Sequence, residues 1–222
     1  MNSIRDHIIY QDHHLVVCNK PAGIPVQEDL TKDVSLHRMV QAYCKHDLYL
    51  CHRIDRPVSG LVIFAKNKES VIEINDQLIQ KKFFKEYLAI VEKKELSATG
   101  TLVNHLVKSS KLKKSFVNEK SEGDESILNY KVLHEMDRYL VLNIELVTGR
   151  FHQIRSQLAH IGLPVKGDVK YGARRGNKDR TIGLHAWKAA LLHPSTKIQL
   201  NFEASLPIND IWPIVQQLLI TI

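Results

Sequence analysis

Cysteine is scarce in this chain. Cys18, Cys44 and Cys51 are the whole complement, and no two of them form a CxxC pair. An odd count without close spacing excludes a disulfide framework and a cysteine-rich zinc site, and it fits reduced thiols. The twelve histidines show neither HExxH nor HxxxH spacing, so a histidine-based metal site has no framework either. The N-terminal residues lack the apolar core of a secretory leader, and no apolar run approaches the ~18 residues of a membrane span. A soluble, cytoplasmic protein is the expectation. Internal repeats and low-complexity linkers are also absent.

What the chain does have is an ordinary supply of apolar residues, 44% of 222, with 25% charged. That is enough for a core of normal size, in one large domain or two small lobes, and it excludes wholesale disorder. Lys and Arg outnumber Asp and Glu by 31 to 24, a net charge of +7. A basic balance of this size is compatible with a nucleic-acid partner, and many soluble proteins carry it without one.

Apolar patterning orders the elements. Leu15–Cys18 is an apolar run broken at Pro21 and Gly23, which reads as a strand feeding a turn. Leu61–Ala65, between Gly60 and Lys66, reads as a buried strand, and Tyr87–Val91 as another. Apolar residues at 71, 72, 74, 78 and 79 suit one helix face. The segment 97–123, rich in Lys and Ser, is expected to be an exposed hairpin or loop. Leu140, Leu142, Ile144 and Leu146 alternate with Val141, Asn143 and Glu145, a strand that ends at Thr148-Gly149. Phe151, Ile154, Leu158 and Ile161 predict a helix stopped by Gly162 and Pro164. A last helix is expected from about Ile211 to Leu219, with Asp210 as N-cap and Pro213 in its first turn. Several strands lack a following helix. The pattern therefore predicts an α+β fold with a mixed, largely antiparallel central sheet and flanking helices.

Three polar clusters stand at strand or turn edges. In His52-Arg53-Ile54-Asp55-Arg56-Pro57-Val58-Ser59-Gly60, one carboxylate lies among two arginines and a histidine, just before a buried strand. Nearby cations keep a carboxylate ionised, as a nucleophile or base requires; the alternative is a surface salt-bridge cluster. In Thr148-Gly149-Arg150-Phe151-His152-Gln153-Ile154-Arg155, positions 152 and 155 share a helix face. The glycine turn into a helix start could receive a phosphate, or could simply be a polar helix start. In Lys85-Glu86-Tyr87, the tyrosine suits either core packing or stacking on a base. Basic residues also gather. Lys166, Lys170, Arg174, Arg175, Lys178 and Arg180 face Asp168 and Asp179 in one stretch. Lys108, Lys111, Lys113, Lys114 and Lys120 face Glu119 in another. Such clusters suit phosphate contacts; each alone also suits a solvated surface.

Taken in order, these stretches resemble the RluA family of pseudouridine synthases. The resemblance rests on Asn19-Lys20-Pro21-Ala22-Gly23, on residues 52–61 continuing into Phe64-Ala65-Lys66, on Lys85-Glu86-Tyr87 and on residues 148–155. It continues through Gly162-Leu163-Pro164-Val165, Gly167-Asp168, Tyr171-Gly172, Leu184-His185-Ala186 and His193-Pro194. It implies one catalytic domain over 1–222, or two lobes around a central active-site cleft, without a preceding S4 RNA-binding domain. It implies isomerisation of uridine to pseudouridine in structured RNA, ribosomal or transfer, with no cofactor and no metal. Carried over by position, Asp55 is the catalytic aspartate and Arg53 fills the gap left by the flipped base. Tyr87 stacks on the target uracil, and Arg155 pairs with Asp55. Lys166, Lys170, Arg174 and Arg175 are the candidate contacts to the RNA backbone. The expected protein is a monomer with RNA as partner, no membrane contact and no obligate protein partner. Val58, Ile54 and Gln157 depart from the family's commoner Thr, Leu and His.

The competing readings are weaker. A metal-dependent hydrolase lacks ligand spacing, and a kinase-like loop would need Asn where Gly60 stands. A non-catalytic RNA-binding protein on the same scaffold would not need Asp55, Arg53, Tyr87 and Arg155 together.

Overall fold

Asp12 shows why the chain begins with paired strands. It sits between β1 (Ile8–Gln11) and β2 (Leu15–Lys20), and its Oδ1 accepts the backbone N–H of His14 and of Leu15, both at 2.7 Å. Its Oδ2 accepts the Tyr10 hydroxyl at 2.6 Å and meets His193 Nε2 at 2.8 Å. Burial opposes the charged carboxylate, but the Tyr10 hydroxyl, the two backbone N–H groups and His193 hold its pKa down to about 2.

The computed structural model describes residues 3–29, 31–120 and 122–220. After β2 come α1 (Leu36–Cys44), β3 (Tyr49–Leu50), β4 (Ser59–Ala65) and α2 (Lys68–Ile79). Next are β5 (Phe84–Glu92), β6 (Thr99–Ser109), β7 (Lys114–Asn118), β8 (Asp124–Glu135), β9 (Tyr139–Leu146) and α3 (Gln153–His160). β10 (Leu184–Leu192), β11 (Gln199–Glu203) and α4 (Trp212–Ile220) follow. The fold is α+β and largely antiparallel, as the patterning predicts. Among the described residues no helix is long and apolar enough to cross a membrane. Two units form. One takes the chain up to Lys85 together with Ala186–Gln217; the other takes Glu86–His185 and the residues from Leu218 on.

In the first unit the strands run in the order β1-β2-β4-β10-β11, with β3 also paired to β4. All seven residues of β4 are buried, so the apolar run read as a buried strand is one. Helix α2 follows from Asn67, whose side chain accepts the Ser70 N–H at 2.8 Å as N-cap. Its buried face differs from the apolar count. Ser70, Ile74 and Gln77 point inward, while Ile72 and Ile79 are exposed. The cause is Gln77, whose amide donates to Leu192 O at 2.9 Å and accepts Leu192 N–H at 2.8 Å. A side chain that satisfies both backbone groups of a strand residue is buried at little cost.

In the second unit β5-β9-β8-β6-β7 form an antiparallel row. The Lys-rich segment 97–123 is thus a hairpin of two true strands. Helix α3 lies against β6 and β7. The expected apolar stripe is absent: Gln153 to Leu158 are all buried, and Ile161 is exposed. Each polar side chain there has partners. Gln153 Oε1 accepts Thr148 Oγ1 and Arg150 N–H, both at 2.9 Å, and its Nε2 donates to Ile127 O at 3.1 Å. Ser156 Oγ donates to Ser115 O, and Gln157 Nε2 serves Leu102 O, Asn104 Oδ1 and Ser126 O. Asp210, expected as the N-cap of the last helix, has a left-handed backbone (φ 57°), and α4 begins at Trp212.

Gly60 lies where β4 runs tightly against Ala186 of β10. Its φ is +111°, and a Cβ there would stand 2.1 Å from Ala186 O. Gly23, at φ +90°, has open space around the same position. Gly60→Ala should therefore destabilise the protein by roughly 3 kcal/mol or more, and Gly23→Ala by about 1 kcal/mol. Urea unfolding of the two variants checks the contrast, and equal losses would refute the steric account.

Candidate active site

Asp55 lies on the turn that feeds β4. The turn closes through Val58 N–H to Asp55 O at 3.0 Å, and Gly23 N–H donates to Arg56 O at 2.7 Å. Lys20 grips the same place. Its side chain is fully buried, and Nζ donates to Pro21 O (3.0 Å), Ile24 O (2.9 Å) and Arg56 O (3.2 Å). Three acceptors match the three donors of an ammonium. Burial pulls the Lys20 pKa down to about 7, while the charge of Asp55 pushes it up and that of Arg56 pushes it down. The Asn19–Gly23 motif by itself assigns Lys20 no role. The available signal is a lysine at the end of a strand whose first four residues are apolar.

The histidine read among the cations around Asp55 needs correction. His52 stays neutral: its Nε2 accepts Ile63 N–H at 3.2 Å and its ring meets Phe83 edge-on. Burial, aided by the charge of Lys85, pushes its pKa down to about 3. Arg56 is committed elsewhere, with Nε on Gly23 O (2.8 Å), Nη1 on Thr31 Oγ1 (2.9 Å), and ion pairs to Asp33 and to Asp29. Arg53 is exposed on the turn. The charge of Asp55 acts on one buried cation, that of Lys20.

In the second unit Tyr87 is buried in β5 opposite Ile144. Arg155 is buried on α3 in a bidentate pair with buried Asp168, Nε to Oδ2 at 2.7 Å and Nη2 to Oδ1 at 2.9 Å. Its guanidinium lies 4.9 Å from the Tyr171 ring centroid. The Tyr171 hydroxyl accepts Ser115 N–H at 2.8 Å and meets His152 Nδ1 at 2.9 Å. His152 reaches it from a left-handed backbone, φ 53°. His152 and Arg155 do converge, on Tyr171. Asp168 was counted as one acid in a basic stretch, and nothing local marks it as the partner of a helix thirteen residues away.

Lys166, Arg174 and Arg175 line a cavity of about 1380 Å³ within the second unit; Lys170 is exposed and outside its lining. The wall is mixed in charge. Arg174 faces Glu92 at 3.7 Å, Lys93 pairs with Glu135 at 2.6 Å, and Lys166 donates to Asn177 Oδ1 at 2.9 Å.

The fold is that of the pseudouridylate synthase domains: the structure of human RNA pseudouridylate synthase domain containing 4 superposes with a TM-score of 0.75 at 23% identity, covering 92% of this chain and 90% of that one. Residues 14–160 match the RNA pseudouridylate synthase family, and the chain belongs to it. Ribosomal large subunit pseudouridine synthase C of Rickettsia felis is 34% identical over 91% of this chain and 68% of its own length. tRNA pseudouridine synthase C of Vibrio parahaemolyticus is 29% identical over 96% of this chain and 94% of its own. The chain spans about two thirds of the length of the other curated relatives most similar to it. The family's activity is isomerisation of uridine in RNA.

Lys20 makes a testable contribution to stability. Its folded pKa, about 7, lies below the ordinary 10.5, so between these values the unfolded chain binds the extra proton. Stability from this group must therefore rise with pH across that window. The stability of wild type relative to Lys20→Met should increase between pH 7 and about 10 by on the order of a few kcal/mol. Paired urea titrations across this range check it, and a pH-independent difference would contradict it.

Proposed function

We propose that this chain converts uridine to pseudouridine in ribosomal or transfer RNA, with Asp55 as its catalytic carboxylate. The observation that carries the reading is the Asp55 turn, set against a wholly buried strand and fixed by the buried ammonium of Lys20. The names of the Rickettsia and Vibrio relatives support the two RNA classes. A stacked base cannot rotate, so the uridine must be flipped out, at a cost of roughly a few kcal/mol. Arg53 fills the vacated space. Tyr87 stacks on the uracil and holds the detached ring without fixing its rotation. Arg155, pre-aligned by Asp168, keeps Asp55 charged and aimed. The N1–C1′ bond breaks, the uracil turns, C5 bonds to C1′ and loses its proton, and N1 takes up a proton. The carboxylate serves this sequence by attacking the ribose or the ring, or as a base at the sugar. Lys166, Lys170, Arg174 and Arg175 take the RNA backbone. The protein acts in the cytoplasm as a monomer, on RNA alone, with neither cofactor nor metal.

Asp55→Asn keeps the shape and removes the charge. It should lower pseudouridine formation by roughly 10³-fold or more while RNA binding persists. Substantial turnover by this variant would reject Asp55, and loss of RNA binding would point to a structural fault. Arg53 and Arg155 should fail differently. The penalty of Arg53→Ala should shrink on RNA whose target base is already bulged, because less stacking is broken. Arg155→Ala should be damaging on stacked and bulged RNA alike. Single-turnover kinetics of both variants on the two forms of one RNA separate the roles, and equal losses throughout would merge them.

A further inference from the structure

The hairpin of β6 and β7 presents a face that the catalytic reading does not use. Register sets Val107 opposite Phe116 and Ser109 opposite Lys114. The two-residue period of a strand therefore puts Val103, Val107, Lys114 and Phe116 on one face. The other face, with Leu106 and Ser115, is buried towards α3. On the outer face Val103 is 57% exposed, Val107 40% and Phe116 39%, with Phe116 directly across from Val107 and His105 between the two valines. Lys114 Nζ stands 5.3 Å from the Phe116 ring centroid. Lys111 and Lys113 are exposed at the hairpin tip, and residues 108–120 hold five lysines against Glu119. The hairpin is anchored, because Ser115 N–H on the outer edge of β7 donates to the Tyr171 hydroxyl.

We propose that this face is a stacking platform for single-stranded RNA, with an unpaired base on Phe116 and the flanking phosphates on Lys111, Lys113 and Lys114. An aromatic ring set among lysines on a sheet suits a single strand, since every base offers a π face and every phosphate a charge. A polyanion compensates these lysines, whereas an apolar protein surface would desolvate them without partners. The inference rests on the reading of the chain as an RNA-modifying enzyme and adds a contact remote in sequence from Asp55.

The test uses the full chain and a fluorescein-labelled short oligouridylate, single-stranded or closed in a duplex. Phe116→Ala should weaken single-strand binding by roughly 10-fold and leave its salt slope unchanged, with little effect on the duplex. Phe116→Trp should restore binding, with tryptophan emission quenched by RNA beyond any change in wild type. Joint Lys111, Lys113 and Lys114→Gln should lower the slope by roughly 0.7 per lost contact. Turnover at saturating RNA should be unchanged in every variant. Wild-type affinity in Phe116→Ala overturns the platform, as does wild-type self-association that this variant abolishes without loss of RNA affinity. Absence of pseudouridine formation by the wild type would instead overturn the functional reading, whatever Phe116 does.

Discussion

A buried ammonium needs three acceptors, and Lys20 finds them in the backbone around the Asp55 turn. Leaving one carbonyl out would strand a charge in the core, so the chain at Pro21, Ile24 and Arg56 has little freedom. Asp55 inherits that restriction from both neighbours. Ile54 is buried, and Arg56 gives its carbonyl to Lys20. The backbone on both sides of Asp55 is thus fixed where the chain enters β4. The more visible ion pairs of Arg56 with Asp29 and Asp33 lie on the surface, where such pairs contribute little.

The second unit repeats the logic with a different cation. The Arg155–Asp168 pair is almost wholly enclosed, and burial of two charges offsets much of their attraction. Its value lies in direction. Two parallel hydrogen bonds and the Tyr171 ring fix the plane of the guanidinium. Tyr171 is itself positioned by Ser115 and His152, so hairpin, helix start and loop share one small polar network.

The strands were legible where apolar runs meet turn residues, as at Leu15, Leu61 and Leu140. The position of Asp55 before a buried strand was legible too. Polar residues that enter the core were not. Gln77 rotates α2, and Gln153 to Gln157 bury α3 nearly all round, because each meets a group distant in sequence. Lys20 and Asp168 escaped for the same reason. Periodicity reports which side chains avoid water; it carries no record of which polar atoms will meet. His52 erred in the opposite direction, since adjacency to Asp55 in the chain suggested a cation where burial keeps the imidazole neutral.

β7 ends the row of strands in the second unit, and an outermost strand offers its amides to any extended segment of another molecule. The Tyr171 hydroxyl occupies one of those amides, at Ser115, and Lys114 lays its charged end across the same ring, 4.7 Å from its centroid. A foreign strand approaching there meets a phenol already bonded and a cation that it would have to desolvate. The residue that steadies Arg155 therefore also occupies an edge amide that a pairing strand would need, so one side chain serves both the guanidinium and the sheet edge.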